Sequence, residues 1–455
     1  MPADPRLLAD LSDAVGPAHV VRPGSPMDAY ERDWTGRYRG FAAAVVRPCS
    51  TAEVAAVVEA CRRHGASLLP QGGFTGLAGV VPRDDVVVHL GRLRAPVEVD
   101  PVAGQAVATA GVTIEAVQAA ARVHGLDYGI DLASRGSATV GGTIATNAGG
   151  LRVVRHGDTR AQVIGVQAVL GTSETITRMS ALTRDNTGYH LPSLLTGSEG
   201  TLGVVTAARL RLVRPAPRRV LGMLAFASVD EAVVAAQVLR RDVPGVEAVE
   251  LVLREGVELV RSVAGLPAPL PGTDAVAYVL VEVGGVGGDL ADLLAEAAAS
   301  LEGLLDAAVA ADAAGRERLW AYRERHTEAI NTVGAPLKLD VTLPAAAYAS
   351  FCADVPGLVD ALVPGARVWL FGHVGDGNAH VNVTGVPTER GEAVTDAVLR
   401  LVASLDGSIA TEHGIGRAKK RWLGLARSPE ELALFARVKQ AFDPDGILAP
   451  GVLLG

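Results

Sequence analysis

The segment Arg214-Pro215-Ala216-Pro217 separates two stretches of different texture, and 455 residues are too many for one ordinary core. The chain is therefore expected to fold as two or three domains joined near this linker. Before it, residues 41–213 alternate short strands and helices punctuated by glycine. Ser50-Thr51-Ala52-Glu53 reads as a capping box opening a helix through His64, stopped at Gly65. Strands are expected at 67–70, 86–90, 97–99, 106–110, 163–170 and 204–212, with a helix capped by Thr113 and running to His124. After the linker, strands at 222–226, 248–253 and 275–283 and helices at 230–241, 289–304 and 314–331 predict an α+β domain. A last helix spans 429–442.

Hydrophobic residues make up 49% of the chain, so a large core is available. Charged residues are 20%, mixed in sign, with a net charge of −8, which argues against binding a nucleic-acid backbone. Cys49, Cys61 and Cys352 are widely spaced and fit reduced thiols rather than a disulfide framework. The N-terminus lacks the plan of a signal peptide, and no apolar run approaches the roughly 20 residues that span a bilayer. A soluble, cytoplasmic protein is expected, with contact to a membrane only through an electron acceptor.

Chemistry concentrates in two places. The first is Gly372-His373-Val374-Gly375-Asp376-Gly377-Asn378-Ala379-His380-Val381-Asn382, followed later by Glu412-His413-Gly414-Ile415-Gly416. Apolar β-branched runs flank Asp376-Gly377, a hairpin signal that would bring His373 and His380 together and set His380 and Asn382 on one face. Two imidazoles and a carboxylate with an open position is the pattern of a catalytic metal site. The bland alternative is a pair of hydrogen-bonded turn or core histidines. The second place is a set of glycine loops. Gln71-Gly72-Gly73-Phe74-Thr75-Gly76-Leu77-Ala78-Gly79 follows a strand and can converge backbone N–H groups on an anion, although it is neither a Walker loop nor a Rossmann fingerprint. Residues 134–150 and 197–206 are likewise small, hydroxylated and almost uncharged. A long, flat, phosphate-bearing cofactor would cover such a surface.

These segments, with Pro70-Gln71-Gly72-Gly73, Leu132 to Gly150, Asp185-Asn186-Thr187-Gly188-Tyr189 and His380-Val381-Asn382-Val383-Thr384, resemble the FAD-binding flavoproteins of the vanillyl-alcohol-oxidase (PCMH) type, in their FAD-binding oxidoreductase/transferase type 4 branch. Within that branch the chain looks most like the D-2-hydroxyglutarate and D-lactate dehydrogenases. The resemblance implies an α+β protein. A lead-in at 1–40 would precede a two-subdomain PCMH-type FAD domain at 41–215. A ferredoxin-like FAD-linked oxidase C-terminal domain would follow at 216–424, and 425–455 would return to the FAD domain. It implies non-covalent FAD, because Phe74-Thr75 stands where relatives carry an attaching His or Cys. Gln71, Gly72, Gly73, Phe74, Thr75, Gly76 and Leu77 would cradle the pyrophosphate. Ser137, Gly141, Gly142, Thr146, Asn147 and Gly149 would line the cofactor, and Glu199, Gly200, Gly203 and Val204 would meet its other side.

The resemblance further implies a divalent metal, read as zinc, on His373, His380 and Glu412, with His413 as the base. Arg323, Thr327, Lys338 and Asn382, together with His413, would bind a 2-hydroxy acid. Arg323 and Thr327, four apart, would share a helix face, and Arg forms a planar fork for a carboxylate. The activity implied is oxidation of a D-2-hydroxy acid, D-2-hydroxyglutarate foremost, with electrons passing to an electron-transfer flavoprotein or a quinone. A homodimer is compatible with this reading. A D-lactate or glycolate dehydrogenase is the nearest alternative. A metal-dependent hydrolase is more distant, as is a flavin-bound module without activity. The chain departs from the family pattern at His190, at Val80-Val81, at Gly171-Thr172-Ser173 and at Ala449, none of them a proposed ligand.

Overall fold

A computed structural model describes residues 4–454. The chain divides into two units. One comprises the residues up to Gly150, His156–Pro215 and those from Glu412 onward; the other comprises Leu151–Arg155 and Ala216–Thr411.

The first unit holds two sheets. Strands β1 (Val20–Val21), β2 (Phe41–Val46), β3 (Leu68–Gln71) and β4 (Arg83–His89) form the first, in the order β1-β2-β4-β3, with β2, β4 and β3 parallel. The helix Thr51–His64 makes the crossover between β2 and β3. It buries Val54, Val57, Val58 and Cys61 in the core that the sheet shares with Leu7 and Leu11 of the helix Pro5–Val15. Ser50 caps its N-terminus and Gly65, at φ 59°, closes its C-terminus. The capping box is only half made, because the Glu53 carboxylate accepts the N–H of Cys49 rather than that of Ser50.

The second sheet runs β5 (Glu98–Asp100), β6 (Gln105–Thr109), β10 (Val204–Val213), β8 (Val163–Val169) and β9 (Thr175–Arg178), all antiparallel, with β7 (Asp127–Tyr128) on the far end of β10. The helices Ile114–Arg122 and Val140–Thr146 complete its core through Ile114, Val117 and Ile144. After the helix Pro429–Phe442 the chain lies along β3, where Leu68 donates to Ile447 and accepts from Ala449.

The second unit is built on one antiparallel sheet of seven strands. They are β11 (Arg218–Phe226), β12 (Val246–Leu253), β13 (Ala277–Gly285), β14 (Leu304–Ala310), β15 (Leu337–Thr342), β16 (Arg367–Gly372) and β17 (Asn378–Thr384), in the order β14-β11-β13-β12-β16-β17-β15. One face carries Leu221, Met223, Ala225, Val252, Tyr278, Leu280, Trp369 and Phe371. These pack with Val257, Trp320, Tyr322 and Ile330 of the helices Arg254–Ala264, Ala313–Glu324 and His326–Val333.

Two expected helices are corrected. Helix 289–304 ends at Ala299; Gly303 at φ 75° turns the chain, and the alanine-rich 304–310 pairs as an edge strand with β11. Helix propensity yields there to the ladder offered by a neighbouring strand. Helix 314–331 breaks at Arg325, so Arg323 and Thr327 lie on separate helices; Arg323 is half-buried and Thr327 is exposed. The return to the first unit starts at Glu412 rather than at 425. Residues 151–155 belong to the second unit, where Arg152 pairs with the buried Glu247 at 2.6 Å and Glu282 at 3.2 Å.

Candidate functional site

In the second unit, the functional side chains occupy the helix-packed face of the sheet near β16 and β17. The hairpin closes through a five-residue loop, 373–377, rather than a two-residue turn. The His373 carbonyl accepts the N–H groups of Asp376 and Asn378, and Gly377 takes φ 85°. A Cβ on Gly372 would lie 2.3 Å from the Asn378 carbonyl oxygen, so the close crossing of the two strands requires glycine there. The His373 and His380 rings end 5.2 Å apart between centroids, nearly perpendicular, as the hairpin signal implied. Across the ladder His380 faces Asp340 on one side and Phe371 on the other, while Asn382 faces Lys338 and Trp369. Residues directly opposite in a ladder point to the same side. Lys338, Asp340, His380 and Asn382 therefore share one face.

A residue that sequence reasoning missed organises this face. Glu250, on β12, is 0% exposed. Its Oε1 lies 2.5 Å from His373 Nδ1, and its Oε2 accepts the Nε–H of Arg323 at 2.6 Å. The Arg323 guanidinium also sits 4.6 Å from the centroid of the Phe371 ring. Burial by itself would raise the Glu250 carboxyl, but the charges and hydrogen bonds of His373 and Arg323 outweigh it and hold the group well below the usual carboxylate range. The expected fork of Arg323 is thus partly engaged, since its Nε edge belongs to Glu250. His380 Nδ1 points to Asp340 Oδ1 at 3.4 Å. Burial lowers the Lys338 ammonium from its ordinary value. His326, buried beneath Phe371 with ring centroids 4.9 Å apart, is pushed down to about 3 by burial and by the Arg323 charge. Thr327, expected among the substrate ligands, opens the next helix on its exposed side. No sequence signal marks Glu250, which reads as one polar residue in an otherwise apolar strand segment, 248–253.

In the first unit, the glycine loops converge. After β3, Gln71 is buried and its amide donates to the Tyr30 carbonyl at 3.0 Å. A Cβ on Gly73 would fall 1.9 Å from the Ser137 carbonyl oxygen, and one on Gly72 would fall 2.3 Å from Thr139 Oγ1. Among the described residues, no backbone acceptor takes the N–H groups of Gly73, Phe74, Thr75, Gly76 or Leu77. Gly141 donates to the Ala110 carbonyl, Gly142 to Thr139 Oγ1, and Thr146 to the Gly142 carbonyl. Gly149 is buried, and a Cβ on Gly200 would lie 3.3 Å from the Pro70 ring. Gly203 and Val204 lead into β10. Phe74, Asn147 and Glu199 all take positive φ, between 52° and 54°. Strained non-glycine backbone of this kind clusters at binding sites.

The stretch from Glu412 belongs here too. Glu412 Oε1 accepts the Gly150 N–H at 2.9 Å. Glu199, expected against the cofactor, turns its carboxylate to the N–H groups of Ile415 at 2.8 Å and Gly416 at 2.7 Å. Burial raises the Glu199 carboxyl from its ordinary value, against the pull of those two donors and of Lys419. Arg417 and Ala418 donate to the Ala78 carbonyl. His413 is half-buried between Glu412 and Gly414. Just before it, Thr411 is tied to the second unit by its N–H on Asp340 Oδ2 at 3.2 Å and its hydroxyl on Thr342 at 2.6 Å.

The first unit thus carries a backbone-lined cradle, and the second a face of imidazoles and cations. Two family models match successive parts of the chain. Residues 42–179 match an FAD binding domain, and residues 215–453 match the C-terminal domain of FAD linked oxidases. The chain belongs to the FAD-linked oxidase family. It is 37% identical over 464 residues to a D-2-hydroxyglutarate dehydrogenase of Xanthomonas citri pv. viticola, covering 99% of this chain and 97% of that protein. It is 35% identical to the mitochondrial D-2-hydroxyglutarate dehydrogenase of Bos taurus, covering 97% of this chain and 82% of that one.

Among solved structures, 4-ethylphenol oxidase from Gulosibacter chungangensis superposes with a TM-score of 0.78 at 19% identity, over 98% of this chain and 96% of that one. p-Cresol methylhydroxylase superposes with a TM-score of 0.78 at 14% identity, over 98% and 95%. Those two likenesses show the fold alone, which is the α+β PCMH-type architecture. Membership in a flavin-linked family sets the hydrolase reading aside. Among the described residues no helix is long and apolar enough to cross a membrane.

Proposed function

We propose that this chain is an FAD-dependent dehydrogenase that oxidises a D-2-hydroxy acid, D-2-hydroxyglutarate foremost, to the 2-oxo acid. The observation that carries the proposal is the shared face of Lys338, His380 and Asn382 beside Arg323 and His373. It offers cations for carboxylates and imidazoles for a metal, in a chain that resembles dehydrogenases of this substrate from end to end.

The glycine loops fit FAD. Among the described residues the N–H groups of Gly73–Leu77 have no backbone acceptor, and a Cβ at 72 or 73 would clash with Thr139 or Ser137. FAD, when bound, would supply the acceptor for the Cα hydride, which carries both electrons. His373 and His380 fit a divalent metal, read as zinc, because their rings lie 5.2 Å apart between centroids and each has Nδ1 beside a carboxylate. Glu412 is proposed as the third ligand. The metal, when bound, supplies Lewis acidity at the substrate hydroxyl. His413 takes the hydroxyl proton, a task that suits an imidazole with an unperturbed pKa of about 6.5. Lys338 and Arg323 bind carboxylate, and a lysine whose charge is partly desolvated gains from an anionic partner. Asn382 orients the substrate from the same strand as His380. Three free cysteines suit a reducing compartment such as the cytoplasm. An electron-transfer flavoprotein or a quinone is proposed to reoxidise the flavin, in a monomer or a homodimer.

The test is anaerobic bleaching of the purified yellow protein by D-2-hydroxyglutarate, D-lactate and glycolate. Fastest bleaching by D-2-hydroxyglutarate supports the proposal. Faster bleaching by D-lactate or glycolate selects the alternative substrate. No bleaching by any of them sinks the dehydrogenase reading.

A further inference from the structure

Glu250 is the central buried charge of the second unit. It sits on β12, facing Leu280 across β13, with both oxygens occupied by side chains distant in sequence. Desolvating a carboxylate costs several kcal/mol, and an apolar residue of similar volume packs such a place at no such cost. Pairing alone therefore gives a weak reason for a charge here, and its geometry gives a stronger one. The Arg323 guanidinium is permanently charged and spends its Nε–H on Oε2. Beside that cation Glu250 is a carboxylate, which only accepts hydrogen bonds. The 2.5 Å contact to Oε1 then requires the proton of neutral His373 to sit on Nδ1. The cation–π contact with Phe371 fixes the plane of the same guanidinium from its other side.

We propose that Glu250 is a positioning residue that acts on metal and substrate together. One oxygen holds His373 in the Nδ1–H tautomer, so that Nε2 is the ligating atom. The other holds Arg323 by Nε, so that its two Nη groups serve the substrate carboxylate. The inference rests on the dehydrogenase reading and deepens it. An amide in place of the carboxylate cannot perform both tasks, because it accepts on one atom and donates from the other. In Glu250→Gln, either the side-chain nitrogen meets the Arg323 Nε–H, donor against donor, or it donates to His373 Nδ1 and drives the ring proton to Nε2.

The experiment uses full-length, flavin-loaded protein with 15N-labelled histidine, stripped of metal and then titrated with zinc. Long-range proton–nitrogen spectra report the tautomer, and His373→Gln assigns the signal. The expected wild-type result is a proton on Nδ1 of His373. In Glu250→Gln, zinc affinity measured by competition with a chromogenic chelator should fall about 10- to 100-fold. KM for D-2-hydroxyglutarate should rise while the flavin remains bound. Glu250→Asp, one methylene shorter, should recover one of the two contacts and part of the affinity. A wild-type proton on Nε2 overturns the inference even if Glu250→Gln does not fold. So does a folded Glu250→Gln that keeps both zinc affinity and KM. A wild type that takes up no zinc defeats the metal reading instead, and the tautomer still decides what Glu250 does to His373.

Discussion

The proposed cofactor cradle and the proposed substrate face would solve recognition in opposite ways. In the first unit, binding capacity lies in the backbone: unspent N–H groups, glycines pressed against carbonyls, and three non-glycine residues held at positive φ. In the second unit it lies in side chains, aligned by strand register and tied by buried charge. A backbone site is defeated by adding atoms, because there is no room for them. A side-chain site is defeated by removing one partner, because the other is left charged and dry. The same kind of substitution should therefore behave differently in the two units.

The largest effect is expected at His413, which stands at the start of the returning segment. His413→Ala should slow flavin reduction by D-2-hydroxyglutarate about 10²- to 10⁴-fold while FAD remains bound. Stopped-flow absorbance of the anaerobic protein measures it, and retained fast reduction removes His413 from its role as base. Next comes Gly73→Ala, whose added Cβ would sit 1.9 Å from the Ser137 carbonyl oxygen. It should yield protein that purifies without yellow colour, while zinc uptake by the histidine face persists. Equal loss of both would blur the contrast between the units.

In the second unit, Arg152→Ala leaves Glu247 and Glu282 short of their nearest cation, with Arg219 at 3.8 and 4.0 Å as a weaker substitute. A loss of about 3 kcal/mol is expected in urea unfolding. A smaller effect is expected from His326. Its imidazole binds a proton near 6.5 when unfolded but only near 3 when folded, because burial disfavours the charged ring. The unfolded state thus holds the extra proton between those values. Stability is whole above pH 6.5 and is lost as the pH falls below it, by up to about 1.4 kcal/mol per pH unit. His326→Leu should flatten that slope in unfolding measured from pH 7 to pH 5. An unchanged slope would place the acid sensitivity elsewhere.

The parts of the site that lie close together in the chain are readable from the sequence. His373 and His380 are joined by a hairpin of seven residues' separation, and the glycine loops each lie within one short segment. Arg323 and Thr327 misled, because a four-residue spacing implies one helix face only if the helix continues, and it breaks at Arg325. The use of the Glu199 side chain was not legible either, since its carboxylate accepts from residues more than two hundred positions on. Glu250 was invisible, since its partners lie 73 and 123 residues away and alternation in a strand says nothing about which distant charge it meets.

Local pattern alone therefore determined the linker, the glycine loops and the histidine hairpin. Each of these depends on backbone freedom or on period-two and period-3.6 spacing, which short segments carry within themselves. Tertiary structure decided which carboxylates were spent and on what, where the edge strand 304–310 formed, and that 151–155 joined the second unit. Those outcomes turn on desolvation and pairing between distant segments. A buried charge acquires its partner only when the sheet places the two side by side.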